Sequence, residues 1–188
     1  MAKKVIKKKK LRLLPFLIFI IVIAIIVFTC LFILDTKVKN IIITGNEVLS
    51  DDEIIDLAGL TNYPSFYKTL NLTMKNNISE NPLIKNVDIN RSFYHVIEIN
   101  VDEYEILYKR EDNGKYVLEN KKEITLDEEI PYTIPRLINE IPKNKLDSFI
   151  KYFKRIDLSI REKISEINYV PNEFDEDRFL LYMDDGNS

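Results

Sequence analysis

Between Leu13 and Leu34 the chain runs for 22 residues without a charged side chain. At about 1.5 Å per residue a helix of that length covers about 33 Å, slightly more than the roughly 30 Å hydrocarbon core of a bilayer. Eighteen of the 22 are Leu, Ile, Val or Phe. At about −0.3 to −0.6 kcal/mol each near the membrane centre, their insertion is favoured by about 5–11 kcal/mol. Pro15 falls in the first turn, where its missing N–H is tolerated. The segment reads as a membrane anchor, marked from end to end by Leu13, Ile21, Ile26 and Leu34. A cleaved signal peptide would have an apolar core of about 7–15 residues followed by small residues, and Phe32-Ile33-Leu34-Asp35 does not supply them. A lipoprotein cysteine needs small residues before it, whereas Val27-Phe28-Thr29 precede Cys30. Cys30 therefore reads as one more apolar side chain.

Residues 1–12 hold seven positive charges and no negative one, in a chain of 27 Lys+Arg and 30 Asp+Glu with net charge −3. Flanking Lys and Arg stay on the cytoplasmic side of a span, and each gains about 1 kcal/mol from anionic lipid. Lys7, Lys8, Lys9, Lys10 and Arg12, with Lys3 and Lys4, thus make 1–12 a cytoplasmic tail. They place the rest of the chain outside the cytoplasm. Beside a span, a nucleic-acid reading of these lysines is the weaker one, and no nucleic-acid partner is expected.

The 188 residues leave room for one or two small domains. The four glycines, at 45, 59, 114 and 186, are too far apart for either common phosphate-binding loop. One cysteine allows no intrachain disulfide, and one histidine, His95, leaves no ordinary zinc ligand set. No cofactor and no metal is expected.

Past the span, Val38 to Ile43 is a β-branched run closed by Gly45-Asn46, a strand and a turn. Ser50-Asp51-Asp52-Glu53 is a capping box, opening a helix from about Asp51 to Ala58 with Gly59 as its C-terminal cap. Leu70, Met74 and Ile78 share one face of a second helix that ends at Asn81-Pro82. Strands follow at Ile84 to Arg91 and Val96 to Glu103. In the latter, Ile97, Ile99 and Val101 point inward and Glu98, Asn100 and Asp102 outward. The order is β-α-α-β-β.

These residues resemble a known family. The runs Ile41-Ile42-Ile43-Thr44-Gly45-Asn46, Ser50-Asp51-Asp52-Glu53-Ile54, Asn81-Pro82-Leu83-Ile84-Lys85-Asn86-Val87 and Ile97 to Glu103 are similar to the POTRA domain of the FtsQ/DivIB family of bacterial cell-division proteins. Gly45, Asn46, Ser50, Glu53, Pro82 and Glu103 are the motif positions. The resemblance covers about residues 1–186, including the basic tail and single span. Tyr94 and Glu105 stand where the family usually has proline, which leaves the loops after Phe93 and Tyr104 free to differ.

The expected fold is α+β: one transmembrane helix at 13–34, a POTRA domain at 36–104, and a mostly antiparallel β domain with one or two helices at 105–188. In that last part Asp112-Asn113-Gly114 is a tight hairpin signal between Ile106 to Arg110 and Lys115 to Glu119. A strand is expected at Glu123 to Leu126. Ile134-Pro135-Arg136-Leu137 resembles the family's proline-containing connection. Leu146, Phe149, Ile150 and Phe153 give a helix with an apolar face, and Ile164 to Val170 and Phe179 to Asp184 read as strands. The family continues past a similar Asp-Gly turn with late strands that take up a partner's strand, so a fragment or a short form is expected here. Phe179, Leu180, Leu181, Tyr182 and Met183 are then a candidate partner edge.

No catalytic residue is expected. His95 is the one imidazole and reads as an exposed loop residue, and Cys30 lies in the lipid segment. Paired acids occur at Glu128-Glu129, Asp175-Glu176-Asp177 and Asp184-Asp185, but without tryptophan there is little to build a sugar cleft. Asp175 to Asp177 lacks the spacing of an EF-hand loop. The runs read most simply as solvated turns. The resemblance implies a scaffold at the division septum. Its implied partners are FtsB-like (DivIC-like) and FtsL-like proteins and, indirectly, the septal peptidoglycan synthase. A membrane-anchored glycan-cleaving enzyme and a POTRA-bearing secretion component are the alternatives.

Overall fold

The computed structural model describes residues 13–126, 130 and 132–184. The basic tail, the Glu128-Glu129 pair and the Asp185-Gly186 turn lie outside the described residues.

Helix α1 (Leu13–Leu34) is one uninterrupted helix with no buried residue. It is long and apolar enough to cross a membrane. The first module follows. Strand β1 (Asn40–Thr44) leads into α2 (Asp51–Leu57), α3 (Asn71–Ser79) and the hairpin of β2 (Ile84–Ser92) and β3 (Val96–Glu103). The strands form a three-stranded sheet in the order β1-β3-β2. β3 lies in its centre, parallel to β1 with Asn40 opposite Val96, and antiparallel to β2. The alternation of β3 is as its sequence dictates: Ile97, Ile99 and Val101 are buried, and Glu98, Asn100 and Asp102 are exposed.

α2 begins on the complete capping box. The Ser50 side chain accepts the Glu53 N–H while the Glu53 carboxylate accepts the Ser50 N–H at 2.8 Å. Its C-terminal cap is Ala58, and Gly59 follows with φ +70°. α3 differs from expectation. Met74 and Ile78 are buried, but Leu70 is the N-cap residue and 62% exposed, because the helix starts one residue after it.

The second module is a six-stranded mixed sheet in the order β6-β5-β4-β7-β8-β9. Its strands are β4 (Ile106–Arg110), β5 (Tyr116–Leu118), β6 (Glu123–Ile124), β7 (Arg136–Leu137), β8 (Ile164–Tyr169) and β9 (Phe179–Met183). Helices α4 (Lys143–Phe153) and α5 (Leu158–Arg161) lie between β7 and β8 in the chain. The 134–137 segment, expected as a connection, holds a central strand. β7 pairs in parallel with both β4 and β8. Pro135 fits beside it because only its carbonyl is used, accepting the Lys109 N–H at 2.9 Å. The expected strand Glu123 to Leu126 shortens to two residues.

Two apolar clusters form the interior. One gathers α2, α3 and the first sheet, and takes in Ile106, Leu118 and Ile124 from the second. The other joins Leu107, Tyr108, Leu137, Ile164 and Ile167 to the apolar face of α4, Phe149, Ile150 and Phe153. Phe149 is its hub, with ring centroids 5.9 Å from Tyr108, 5.3 Å from Phe153 and 4.7 Å from Phe179.

Candidate partner-binding surfaces and the joint between the modules

All six motif residues lie at one end of the first sheet. Gly45 turns the chain after β1 with φ +85°. A Cβ there would lie 2.2 Å from the Val101 carbonyl oxygen, so the close approach of the turn to β3 requires glycine. Asn46 donates from Nδ2 to the Leu49 carbonyl at 2.8 Å and to the Asp51 carboxylate at 2.9 Å. From the end of β3, Glu103 accepts the Val48 N–H at 2.8 Å and the Leu49 N–H at 3.1 Å. The loop between β1 and α2 is thereby tied at both ends, and Ser50 and Glu53 start the helix beyond it. Pro82 lies at the same end, in the exposed turn before β2, where the Asn81 carbonyl accepts the Ile84 N–H at 3.0 Å and Ile84 stands opposite Glu103. These residues hold backbone; their arrangement is architectural.

The joint between the modules is electrostatic around an apolar centre, and nothing local in the sequence points to it. Glu119, at the end of β5, has a side chain only 12% exposed and receives Lys85 of β2 at 3.0 Å. Lys154, just past α4, binds its other oxygen. Burial pushes the Glu119 carboxyl up, but the hydrogen bonds and charges of Lys154 and Lys85 outweigh it and hold the group below the usual carboxylate range. Arg161 of α5 pairs with Glu105, in the link between the two sheets. These partners lie 34 to 56 residues apart in the chain. Beside them opens a cleft of about 510 Å³, lined among others by Glu47, Glu103, Glu105, Lys85 and Tyr132. Burial, with Glu47, Glu103 and Glu105 nearby, pushes the Tyr132 hydroxyl up to about 12. Three acids at this joint are engaged: Glu119 by two lysines, Glu103 by two backbone N–H groups and Glu105 by an arginine.

Of the expected acid runs, Asp175 to Asp177 is paired likewise. Lys145 reaches Asp177 at 2.8 Å and Glu176 at 3.5 Å, while Asp175 accepts the Asp177 N–H at 2.9 Å. The reading of His95 as an exposed loop residue is corrected. It is half-buried with φ 61°, its ring edge-on to Phe66 and Tyr67 at 5.1 and 5.9 Å. Its Nδ1 is buried without a hydrogen-bond partner among the described residues.

The candidate partner edge is β9. Among the described residues it pairs on one side, with β8, from Ile164 opposite Met183 to Tyr169 opposite Phe179. Phe179, Leu181 and Met183 pack toward the second cluster. By alternation Leu180 and Tyr182 face the other way, and Tyr182 is 37% exposed.

Residues 36–104 match the family model for the POTRA domain, FtsQ-type. Cell division protein DivIB of Bacillus subtilis is 35% identical over 188 residues, covering 96% of this chain and 69% of that protein. DivIB of Listeria monocytogenes is 28% identical over 189 residues, covering 98% and 70%. DivIB of Bacillus cytotoxicus is 26% identical over 155 residues, covering 80% of this chain and 60% of the relative. The chain thus spans about 60 to 70% of the length of these relatives.

Proposed function

The chain belongs to the DivIB family of cell division proteins, and from that premise we propose that it is a non-catalytic scaffold of the division machinery. It binds other single-pass division proteins outside the cytoplasm, FtsL-like and DivIC-like, and through them helps recruit and regulate septal peptidoglycan synthesis. α1 anchors it with the basic tail in the cytoplasm.

The observation that carries the reading is the 35% identity to a DivIB over almost the whole chain, span and both modules together. The geometry is consistent with it. A sheet edge accepts a partner's strand through main-chain hydrogen bonds, with alternate side chains supplying specificity. β9 offers such an edge, faced by Leu180 and Tyr182. Confinement beside the bilayer raises the effective concentration of anchored partners, so modest interfaces suffice.

Imaging the chain, tagged at its N-terminus, in growing cells tests this. A mid-cell band that precedes constriction and requires residues 35–188 is the expected result. A uniform membrane signal throughout the cycle would overturn it. Leu180→Lys with Tyr182→Lys is expected to leave folding intact and to weaken co-purification of FtsL-like and DivIC-like proteins at least tenfold. Undiminished capture would remove β9 as the contact.

A further inference from the structure

The end of the first module that adjoins α1 carries exposed aromatic and basic side chains away from the proposed β9 edge. Two loops are laced to the residues that follow the helix. The Ser65 hydroxyl donates to the carbonyl of Leu34, the last residue of α1. The Phe66 N–H donates to Thr36 at 2.8 Å, and the Val38 N–H to Pro64 at 3.0 Å. The Lys39 N–H donates to the His95 carbonyl at 2.9 Å. Since β1 and β3 start level, with Asn40 opposite Val96, the turn between β2 and β3 lies at the helix end of the sheet.

That turn is closed by a hydrogen bond and holds apolar surface outward. Ser92 pairs with Val96, the Ser92 carbonyl accepts the His95 N–H at 3.1 Å, and His95 at φ 61° closes a three-residue loop. The His95 ring, set against Phe66 and Tyr67, pins the turn to the loop beside the helix. Phe93 is left fully exposed and Tyr94 80% exposed, with Tyr63 and Tyr67 at 46% in the neighbouring loop. Lys37, Lys39 and Lys68 are exposed in the same segments, and the acid among them, Asp35, lies 3.9 Å from Lys68.

We propose that this end of the module rests on the bilayer surface, with the Phe93 and Tyr94 rings seated in the headgroup layer and Lys37, Lys39 and Lys68 turned toward anionic headgroups. The inference rests on reading α1 as a membrane span. The headgroup layer is about 5–7 Å deep on each side. Because Ser65 is bonded to the last carbonyl of α1, its loop starts at that depth. Aromatic rings with basic neighbours are the side chains that partition into this layer. Seating them holds the module at a fixed tilt, so that its far end and the second module are presented to anchored partners at a defined height.

The chain has no tryptophan, so single substitutions report depth directly. Phe93→Trp, Asp52→Trp and Phe19→Trp would be placed one at a time in the full chain, reconstituted in vesicles of phosphatidylcholine and phosphatidylglycerol. Asp52 lies in the first turn of α2 at the opposite end of the sheet, about 23 Å away along β3. The expected result is blue-shifted emission for Phe93→Trp and quenching by lipids brominated near the headgroup several-fold stronger than for Asp52→Trp. Phe19→Trp, within α1, is quenched by lipids brominated deep in the chains. Quenching at 19 with water-like emission at 93 would overturn the docking alone. No quenching at 19 would overturn the span and the docking together. Tyr94→Trp repeats the reading with a second variant, and circular dichroism checks that all four fold alike.

Discussion

Gly45 and Gly114 both hold positive φ, yet their surroundings differ. A Cβ on Gly45 meets the Val101 carbonyl oxygen at 2.2 Å, whereas one on Gly114 meets nothing within 4 Å. Gly114→Ala should cost the left-handed penalty alone, about 1 kcal/mol, and Gly45→Ala about 3 kcal/mol or more. Urea unfolding of the full chain in detergent micelles checks this, and equal losses would show that β3 yields to the added methyl group. Glu119 carries a second prediction. Its folded-state pKa lies below the ordinary value, so its contribution is present above an unfolded pKa of about 4.3 and is lost as pH falls through the folded value. Glu119→Gln should therefore cost about 1–2 kcal/mol at neutral pH. The gap to the parent chain should close below about pH 4. A gap that persists in acid would mean that the lysines bind the amide as well as the carboxylate. Asn46, Ser50 and Glu53 were legible because their partners are three to five residues away, and Gly45 as the end of a β-branched run, although its contact with Val101 lies far along the chain. Glu119 was not, since Lys85 and Lys154 stand 34 and 35 residues away.

Elements with a full period in sequence are the ones that sequence predicts. α2 announces itself by its capping box, β3 by six residues of strict alternation from Ile97 to Asp102, and α4 by apolar residues returning every three to four positions. β7 gives no such sign, because two residues carry no periodicity and the preceding proline reads as a break. It becomes central only through β4 and β8, whose register partners Lys109 and Glu166 lie 27 positions before and 30 after Arg136. The same limit applies at the start of α3, where spacing placed Leu70 on the buried face but the helix begins one residue later. α2 offers the clean test. Ser50→Ala removes one half of the box and should cost about 1 kcal/mol. Amide exchange should quicken at Glu53 and Ile54 while β3 keeps its protection. Loss of protection along β3 would show that the helix start also braces the Glu103 loop.

At the scale of the molecule, the question is whether the modules fold separately. The two sheets part between Glu103 and Ile106, and the family match ends at Tyr104, yet the first apolar cluster does not stop there. Ile106, Leu118 and Ile124 belong to the second sheet and complete the interior of the first module. Leu118 is fully buried. Lys85, Glu119 and Lys154 close over the same joint. Two sheets that share a core and an ion-pair cluster should unfold together. Leu118→Ala, which leaves a cavity in that shared interior, should cost about 2–4 kcal/mol. Its consequence should appear outside its own sheet, as faster exchange of the β3 amides from Val96 to Glu103 measured by mass spectrometry on the full chain. If exchange quickens only in β4, β5 and β6, the modules are independent units that merely touch. A shared core instead fixes the angle between the α1 end of the first module and the β9 edge of the second.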